Sequence, residues 1–378
     1  MRGTRRCPVF IGIIVLGQLF LSVAVRAQSS LVVTPSVSLT EVYDDNLFST
    51  SDRREADVIS RFGLGLRAAY ESAPLRLLGA YSLDAEVFGD HPKLTDPAAR
   101  QEVRVELEHR PTRRLKLSLT GEYADTHAAG EFNVATGLEP GRVRAERLSV
   151  GPSLAYRFDP LTTGTATYRF TRDRAEGVVT ESHVADIGLD RRVTARDTAG
   201  LSYGFREFVF TPGGTVTSHV AGLGWTHEIT PLTSLTLRGG SRVSDGSVDP
   251  EVSIVARRRL ERGELSLTYS RTQTTVIGEA GTVETDGLTA GLAYEVLSRF
   301  EVRAAPTFFS SRRAGREAKV YGVSLEATYR INRSLSLTGS YTFNLRQGSL
   351  DTGRPVDEEV FHNVFWLRLT VTYPYRLD

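Results

Sequence analysis

The sequence predicts an all-β chain, a transmembrane antiparallel up-and-down β-barrel of about eighteen strands with short periplasmic turns and longer extracellular loops. Three observations predict it. Apolar and polar residues alternate with period two in stretch after stretch. Tight turns alternate with longer polar loops. No segment carries a 3.6-residue apolar period, a second hydrophobic run long enough for a transmembrane helix, or a Pro/Ser-rich linker.

The elements follow in chain order. Arg2, Arg5 and Arg6 precede an apolar run from Val9 to Val25, and Val25-Arg26-Ala27 ends it where a signal peptidase would cut. Residues 1–27 therefore read as a cleaved signal peptide and 28–378 as one barrel domain of the bacterial outer membrane. Gly12, Gly17 and Gln18 interrupt the run, which falls short of the roughly 20 apolar residues that span a bilayer. Cys7, the only cysteine, lies in the leader, so the mature chain has no disulfide framework and no thiolate metal site. The 46 basic residues lose the leader's four arginines, leaving 42 against 45 acidic ones and a formal charge of −3. Such a balance gives no case for nucleic acid as a partner.

The alternation is explicit along the chain. Val103, Val105 and Leu107 oppose Arg104, Glu106 and Glu108; Leu115, Leu117, Leu119 and Tyr123 oppose Lys116, Ser118, Thr120 and Glu122. Tyr321, Val323, Leu325, Ala327, Tyr329 and Ile331 oppose Gly322, Ser324, Glu326, Thr328 and Arg330. Leu335, Leu337, Tyr341, Phe343 and Leu345 oppose Ser336, Thr338, Ser340, Thr342 and Asn344. The apolar parity is assigned to lipid and the polar parity to a wet interior. In hydrocarbon every backbone N–H and C=O must be paired, so such a sheet has to close on itself.

Tight turns are expected at Ser72-Ala73-Pro74, Pro111-Thr112-Arg113, Asp159-Pro160-Leu161, Thr194-Ala195-Arg196, Pro231-Leu232, Arg262-Gly263, Leu297-Ser298 and Asn332-Arg333. Most recur at about 35 residues, the length of a hairpin of two long strands and one loop. Longer loops fall at 44–57, 89–98, 129–142 and 346–358. Tyr70, Tyr156, Phe158, Trp225, Tyr294 and Tyr329 gather near the short-turn ends, as an aromatic girdle at a water–lipid boundary would. A secreted β-sandwich also alternates, but its strands average about five to six residues and eighteen would need several domains.

The polar parity names the candidate pore lining. It comprises Arg61, Arg67, Arg76, Arg104, Arg110, Lys116, Arg157, Arg169, Arg206, Arg238, Arg242, Arg303, Arg330 and Arg368. The acidic members are Glu71, Asp84, Glu106, Glu108, Glu122, Asp186, Asp190, Glu264, Glu295, Glu301 and Glu326. Opposite charges are well mixed, which suits cross-strand ladders that stiffen the wall. Rings of arginine also suit weak, multi-site binding of acidic sugars or other anions in transit.

No enzyme signature survives. Gly200-Leu201-Ser202-Tyr203-Gly204 matches G-x-S-x-G, yet Ser202 sits inside a predicted strand rather than at a strand-turn-helix elbow. The histidines show no zinc spacing, and Asp44-Asp45-Asn46 and Asp245-Gly246-Ser247-Val248-Asp249 are incomplete as cation loops. No metal or cofactor is expected.

After the leader, Thr34-Pro35-Ser36-Val37-Ser38-Leu39-Thr40-Glu41-Val42-Tyr43-Asp44-Asp45-Asn46-Leu47-Phe48 resembles the opening of a family of outer-membrane porin-like β-barrels associated with exopolysaccharide biosynthesis and export. That family's first strand ends in a Tyr-x-Asp-Asn signature, matched by Tyr43, Asp45 and Asn46. The resemblance implies a conduit for an exported polysaccharide, with periplasmic export components as partners. Phe365 to Tyr375 resembles the last-strand signal read by the barrel-assembly machinery, with Tyr373 and Tyr375 as candidate docking residues; Arg376, Leu377 and Asp378 follow where the usual pattern ends on an aromatic. The expectation is an outer-membrane channel for exopolysaccharide or capsule export. A general or anion-preferring diffusion porin is the first alternative, and a hydrolase at the barrel rim the second.

Overall fold

The computed structural model describes residues 29–350 and 358–377. The expected leader, Cys7 and part of the expected loop 346–358 lie outside the described residues. The first nine strands are β1 (Ser30–Asp44), β2 (Asp57–Glu71), β3 (Leu75–Phe88), β4 (Asp96–His109), β5 (Leu115–Thr126), β6 (Ala145–Arg157), β7 (Thr162–Ala175), β8 (Val178–Arg192) and β9 (Asp197–Thr211). There follow β10 (Thr215–Thr230), β11 (Thr233–Ser244), β12 (Ser247–Leu260), β13 (Gly263–Thr275), β14 (Thr282–Leu297), β15 (Phe300–Arg313), β16 (Arg316–Arg330), β17 (Leu335–Gly348), β18 (Glu359–Thr372) and the short β19 (Tyr375–Leu377).

Each strand pairs antiparallel with its sequence neighbours, and β1 closes the ring on β18, from Ser36 opposite Thr372 to Asp44 opposite Val364. β19 extends that seam, with Val33 opposite Tyr375. The result is the predicted closed barrel of eighteen strands, with β19 as a stub continuing the last one. Closure leaves no free sheet edge, which hydrocarbon would not tolerate.

The facing assignment follows from register. Val37, Leu39, Phe62, Leu64, Leu66, Ile187, Leu201, Leu223, Leu325, Leu367 and Leu369 all point outward and stay exposed, forming an apolar belt. Below it, Tyr70, Tyr156, Trp225, Tyr294, Tyr329 and Tyr373 lie on the outward parity near the short turns. Toward the loop ends a second set of tyrosines appears whose hydroxyls bond the adjacent strand. Tyr168 meets His183 Nδ1 at 2.8 Å, Tyr203 meets His219 Nδ1 at 2.7 Å, Tyr269 donates to Asp286 at 3.0 Å and Tyr341 to Asn363 at 2.8 Å. Above them the outward face turns charged: Arg172 pairs with Glu181 and Arg174 with Glu146, each at 3.4 Å, and Arg312 with Asp286. Sequence reading had given the whole outward parity to lipid. Its upper residues instead meet water and headgroups, where charge costs little.

The eight expected tight turns all lie at the end shared by the two chain termini. The other end departs from expectation. Only five of its nine connections are long; residues 176–177, 212–214, 245–246 and 314–315 are as tight as the periplasmic turns. Three of these are two-residue hairpins whose residues both take positive φ: Glu176-Gly177, Asp245-Gly246 and Ala314-Gly315. Positive φ at both central positions matches the strand twist, and glycine adopts it without a steric cost. Asp245-Gly246 is thus a hairpin turn rather than part of a cation loop.

Candidate pore constriction

The longest connection, residues 127–144 between β5 and β6, folds into the barrel instead of standing above it. It begins with a 3₁₀ turn, Ala129–Phe132, and Asn133 then ties the segment together. Asn133 is 2% exposed; its Nδ2 donates to the Leu138 carbonyl at 2.9 Å, and its Oδ1 accepts the Ile277 N–H at 2.9 Å. Gly137 takes φ +64°, and its carbonyl accepts Asn344 Nδ2 of β17 at 3.3 Å. Leu138 is buried with Val276 of the β13–β14 connection and with Val283, Phe309, Ala318 and Val320 of β14 to β16, across the lumen from its own hairpin.

Charges hold the rest. Glu139 pairs with His362 Nδ1 on β18, whose Nε2 bonds Asp44 of β1 at 2.8 Å. Arg142 pairs with Glu86 of β3 and lies 4.4 Å over the Phe88 ring, while Arg61 holds the other Glu86 oxygen at 2.7 Å. Arg147 makes two 2.7 Å bonds to Asp173 of β7 and donates to the Phe132 carbonyl at 3.2 Å. Buried charges are tolerable here because each has an opposite partner. One loop is thereby fastened to strands all around the lumen, so it narrows the passage at the loop end.

Below the loop the lumen is polar. Every residue predicted to face inward lies on the luminal parity. Some form ladders: Glu108 with Arg110 (2.6 Å) and Lys116 (2.8 Å), Arg303 with Glu301 (2.8 Å) and Glu326 (3.3 Å), and Arg330 with Glu301 (3.7 Å). Arg206 pairs with Glu251. Among the described residues Arg67, Arg76, Arg157, Arg169 and Arg238 have no carboxylate within 4 Å, and Glu106 and Glu122 have no basic group within that distance. Arg368 donates to Thr40 Oγ1 at 2.9 Å and lies 5.0 Å over the Trp366 ring. Arg242 departs from its predicted role: it is fully buried and points into the wall, not the channel.

The signature residues at the end of β1 are occupied structurally. Asn46 is fully buried, with Nδ2 donating to the carbonyls of Thr50 and Phe361, each at 2.8 Å, and Oδ1 accepting the Thr50 N–H at 3.0 Å. Asp45 accepts both the N–H and Nδ2 of Asn363 at 2.6 Å. Tyr43 faces outward and is half exposed. These bonds lock the first strand to β18 and shape loop 45–56, as Asx-rich strand ends do.

Outside the spans, His91 in loop 89–95 bonds Asp57 through Nδ1 at 2.7 Å and Glu55 through Nε2 at 2.8 Å, and the two carboxylates raise its pKa above the ordinary 6.5. Ser202 lies within β9 with its hydroxyl toward the Gly222 carbonyl, 3.4 Å away, so the G-x-S-x-G match is not an elbow. No group of three side chains able to hold a metal occurs among the described residues.

Sequence reading placed a loop at 129–142 but missed that it turns inward, and missed Glu86, Asn133, Leu138, Glu139, Arg147, Asp173 and His362. The available signal was an apolar Leu138 between Gly137 and Gly141 in an otherwise polar connection.

No protein-family model matches the chain, and no curated protein does. Among solved structures it is similar to Pseudomonas aeruginosa OccK7 (OpdD), with 11% identity, 93% of this chain and 100% of that one covered, and TM-score 0.49. It is similar to Pseudomonas aeruginosa OpdO at 14% identity, with 93% and 98% covered and TM-score 0.47. A third is the siderophore receptor PirA from Pseudomonas aeruginosa, at 9% identity, with 90% and 80% covered and TM-score 0.47. These likenesses are of general architecture alone.

Proposed function

We propose that the chain is an outer-membrane diffusion channel for small polar solutes, narrowed near its extracellular end by the loop between β5 and β6. The observation that carries this reading is the junction of a wide, charge-lined lumen with a loop fastened across it. An eighteen-stranded barrel has room for an aqueous passage, and an inserted segment reduces it to solute size. The luminal arginines without close carboxylates, Arg67 and Arg76 on the adjacent β2 and β3 and Arg157 and Arg169 on the adjacent β6 and β7, support a weak preference for anions. Outer-membrane lipid would wet the belt, and the assembly machinery would dock on Tyr373 or Tyr375.

Export of a polysaccharide, with periplasmic export components on the short-turn side, is the second reading. It rests on Tyr43, Asp45 and Asn46, and the bonds made by Asp45 and Asn46 leave neither side chain free for a sugar. A polymer would also have to displace the fastened loop.

Purified protein in planar bilayers tests the first reading. Discrete single-channel steps with a chloride-over-potassium preference are expected, and Arg67→Glu with Arg76→Glu should reduce or reverse that preference. An electrically silent barrel, together with loss of capsule or slime on gene deletion, would favour the export reading instead.

A further inference from the structure

The barrel wall has one loose seam. β12 and β13 pair only between Val252 opposite Arg271 and Leu260 opposite Gly263. Above that point, residues 247–251 pair only with β11, and residues 272–275 only with β14. The two hairpins therefore part and leave a notch.

Arg242 of β11 fills it. The side chain is fully buried, 3.3 Å from Asp249 and 3.7 Å from Glu251 on the β12 side, and paired with Glu284 on β14. Arg242 has luminal parity, whereas Glu284 has outward parity between the buried Val283 and Thr285. The ion pair thus passes through the wall, which is possible only where β12 and β13 separate. Its Nε and Nη1 donate no hydrogen bond, so the guanidinium is held mostly by charge.

The surroundings set the level and polarity of the notch. Inside, Arg206 donates to Glu251 at 3.1 Å and to Thr272 at 3.2 Å. Outside, Val248 is 70% exposed. Tyr269 lies two residues below the notch, its hydroxyl on Asp286, so the notch opens at the height of the outer-leaflet headgroups. Above it, Asn133 of the inserted loop holds Ile277, which places the obstruction of the axial route beside this lateral one.

We propose that the notch is a lateral portal latched by Arg242, through which a single-chain amphipathic anion passes between the lumen and the outer leaflet. The proposal rests on the channel reading above. An anionic head can replace one of the carboxylates around Arg242, so the buried cation is never left unpaired, the state that costs most. The tail moves along the outward residues Val248 and Val252 while the head stays by Arg206 and Thr272.

The test uses the full barrel in lipid vesicles with nitrobenzoxadiazole-labelled laurate as the probe, and planar bilayers for ion conductance. Val248→Cys with Thr275→Cys, joined by a bis-maleimide spacer that contains a reducible disulfide, ties the two lips together. With the spacer in place, laurate transfer to the bilayer should fall about tenfold and return on reduction, with ion conductance unchanged. Glu284→Gln weakens the latch and should speed transfer several-fold. If the tied variant transfers laurate at the untied rate while conducting normally, the portal is overturned; should the cysteine variant not fold, unchanged transfer by Glu284→Gln overturns it. A wild-type barrel without conductance defeats the channel reading instead, a result read separately from laurate transfer.

Discussion

Gly137 of the inserted loop lies against Phe309 of β15, so close that a β-carbon on Gly137 would stand 2.8 Å from the ring's Cδ2. Its φ of +64° disfavours any L-residue as well. Gly137→Ala should therefore loosen the loop by strain of about 1 kcal/mol and by collision with the opposite wall. The expected outcome is a single-channel conductance raised at least about twofold, with barrel folding retained; unchanged conductance would show that the loop does not limit the passage.

Outward and inward residues should respond oppositely to charge. Leu325 faces lipid within the belt, and Leu325→Arg should cost about 2–4 kcal/mol of folding stability in bilayers. Ser324→Arg, on the luminal parity, should cost little. Leu337 stands opposite Tyr329 near the lower boundary, so Leu337→Asp should cost at most about 1 kcal/mol. Folded fractions from gel mobility with and without heating report all three, and equal effects of the Leu325 and Ser324 changes would contradict the facing assignment.

Asn46→Ala removes three hydrogen bonds from a fully buried amide. Leaving the Thr50 and Phe361 carbonyls without a donor should cost about 2–3 kcal/mol. Proteolysis at loop 45–56 should accelerate while ion selectivity stays the same. A change in selectivity without loss of stability would mean the residue touches solute.

The pH dependence of loop 89–95 follows from His91. Asp57 and Glu55 raise its pKa, so the protonated form is favoured in the folded state. The stabilisation is complete below the unfolded value of about 6.5 and is lost as pH rises through the higher folded value. Hydrogen exchange at residues 89–91, corrected for intrinsic rates, should quicken as pH rises above about 6.5, and His91→Gln should remove that dependence. An identical profile in the variant would place the titration elsewhere.

Much of the fold was legible because its physics is periodic. Leu335 to Leu345 and Ser336 to Asn344 show their faces in the sequence itself, since lipid and water lie on opposite sides of every strand. The turn at Asp159-Pro160-Leu161 was legible from its chemistry, whereas Asp245-Gly246 was weighed only as an incomplete cation loop although it is an equally strong hairpin signal. The constriction was hidden for a different reason. Contacts such as Leu138 to Phe309 and Glu139 to His362 join residues far apart in sequence, and no local pattern announces them. Arg242 shows the same limit: its parity placed it correctly, but parity cannot reveal that the neighbouring strands part.

The pairing of Ser36 with Thr372 also shapes how the molecule is made. The first strand acquires its second neighbour only once the last has arrived, a ring closure over nearly the full chain and slow by loop entropy. Until then two raw edges stay unsatisfied and prone to self-association. A chain with its ends fused across this junction and reopened at Asp245-Gly246 would keep every contact but change which strands wait, making order of synthesis separable from architecture.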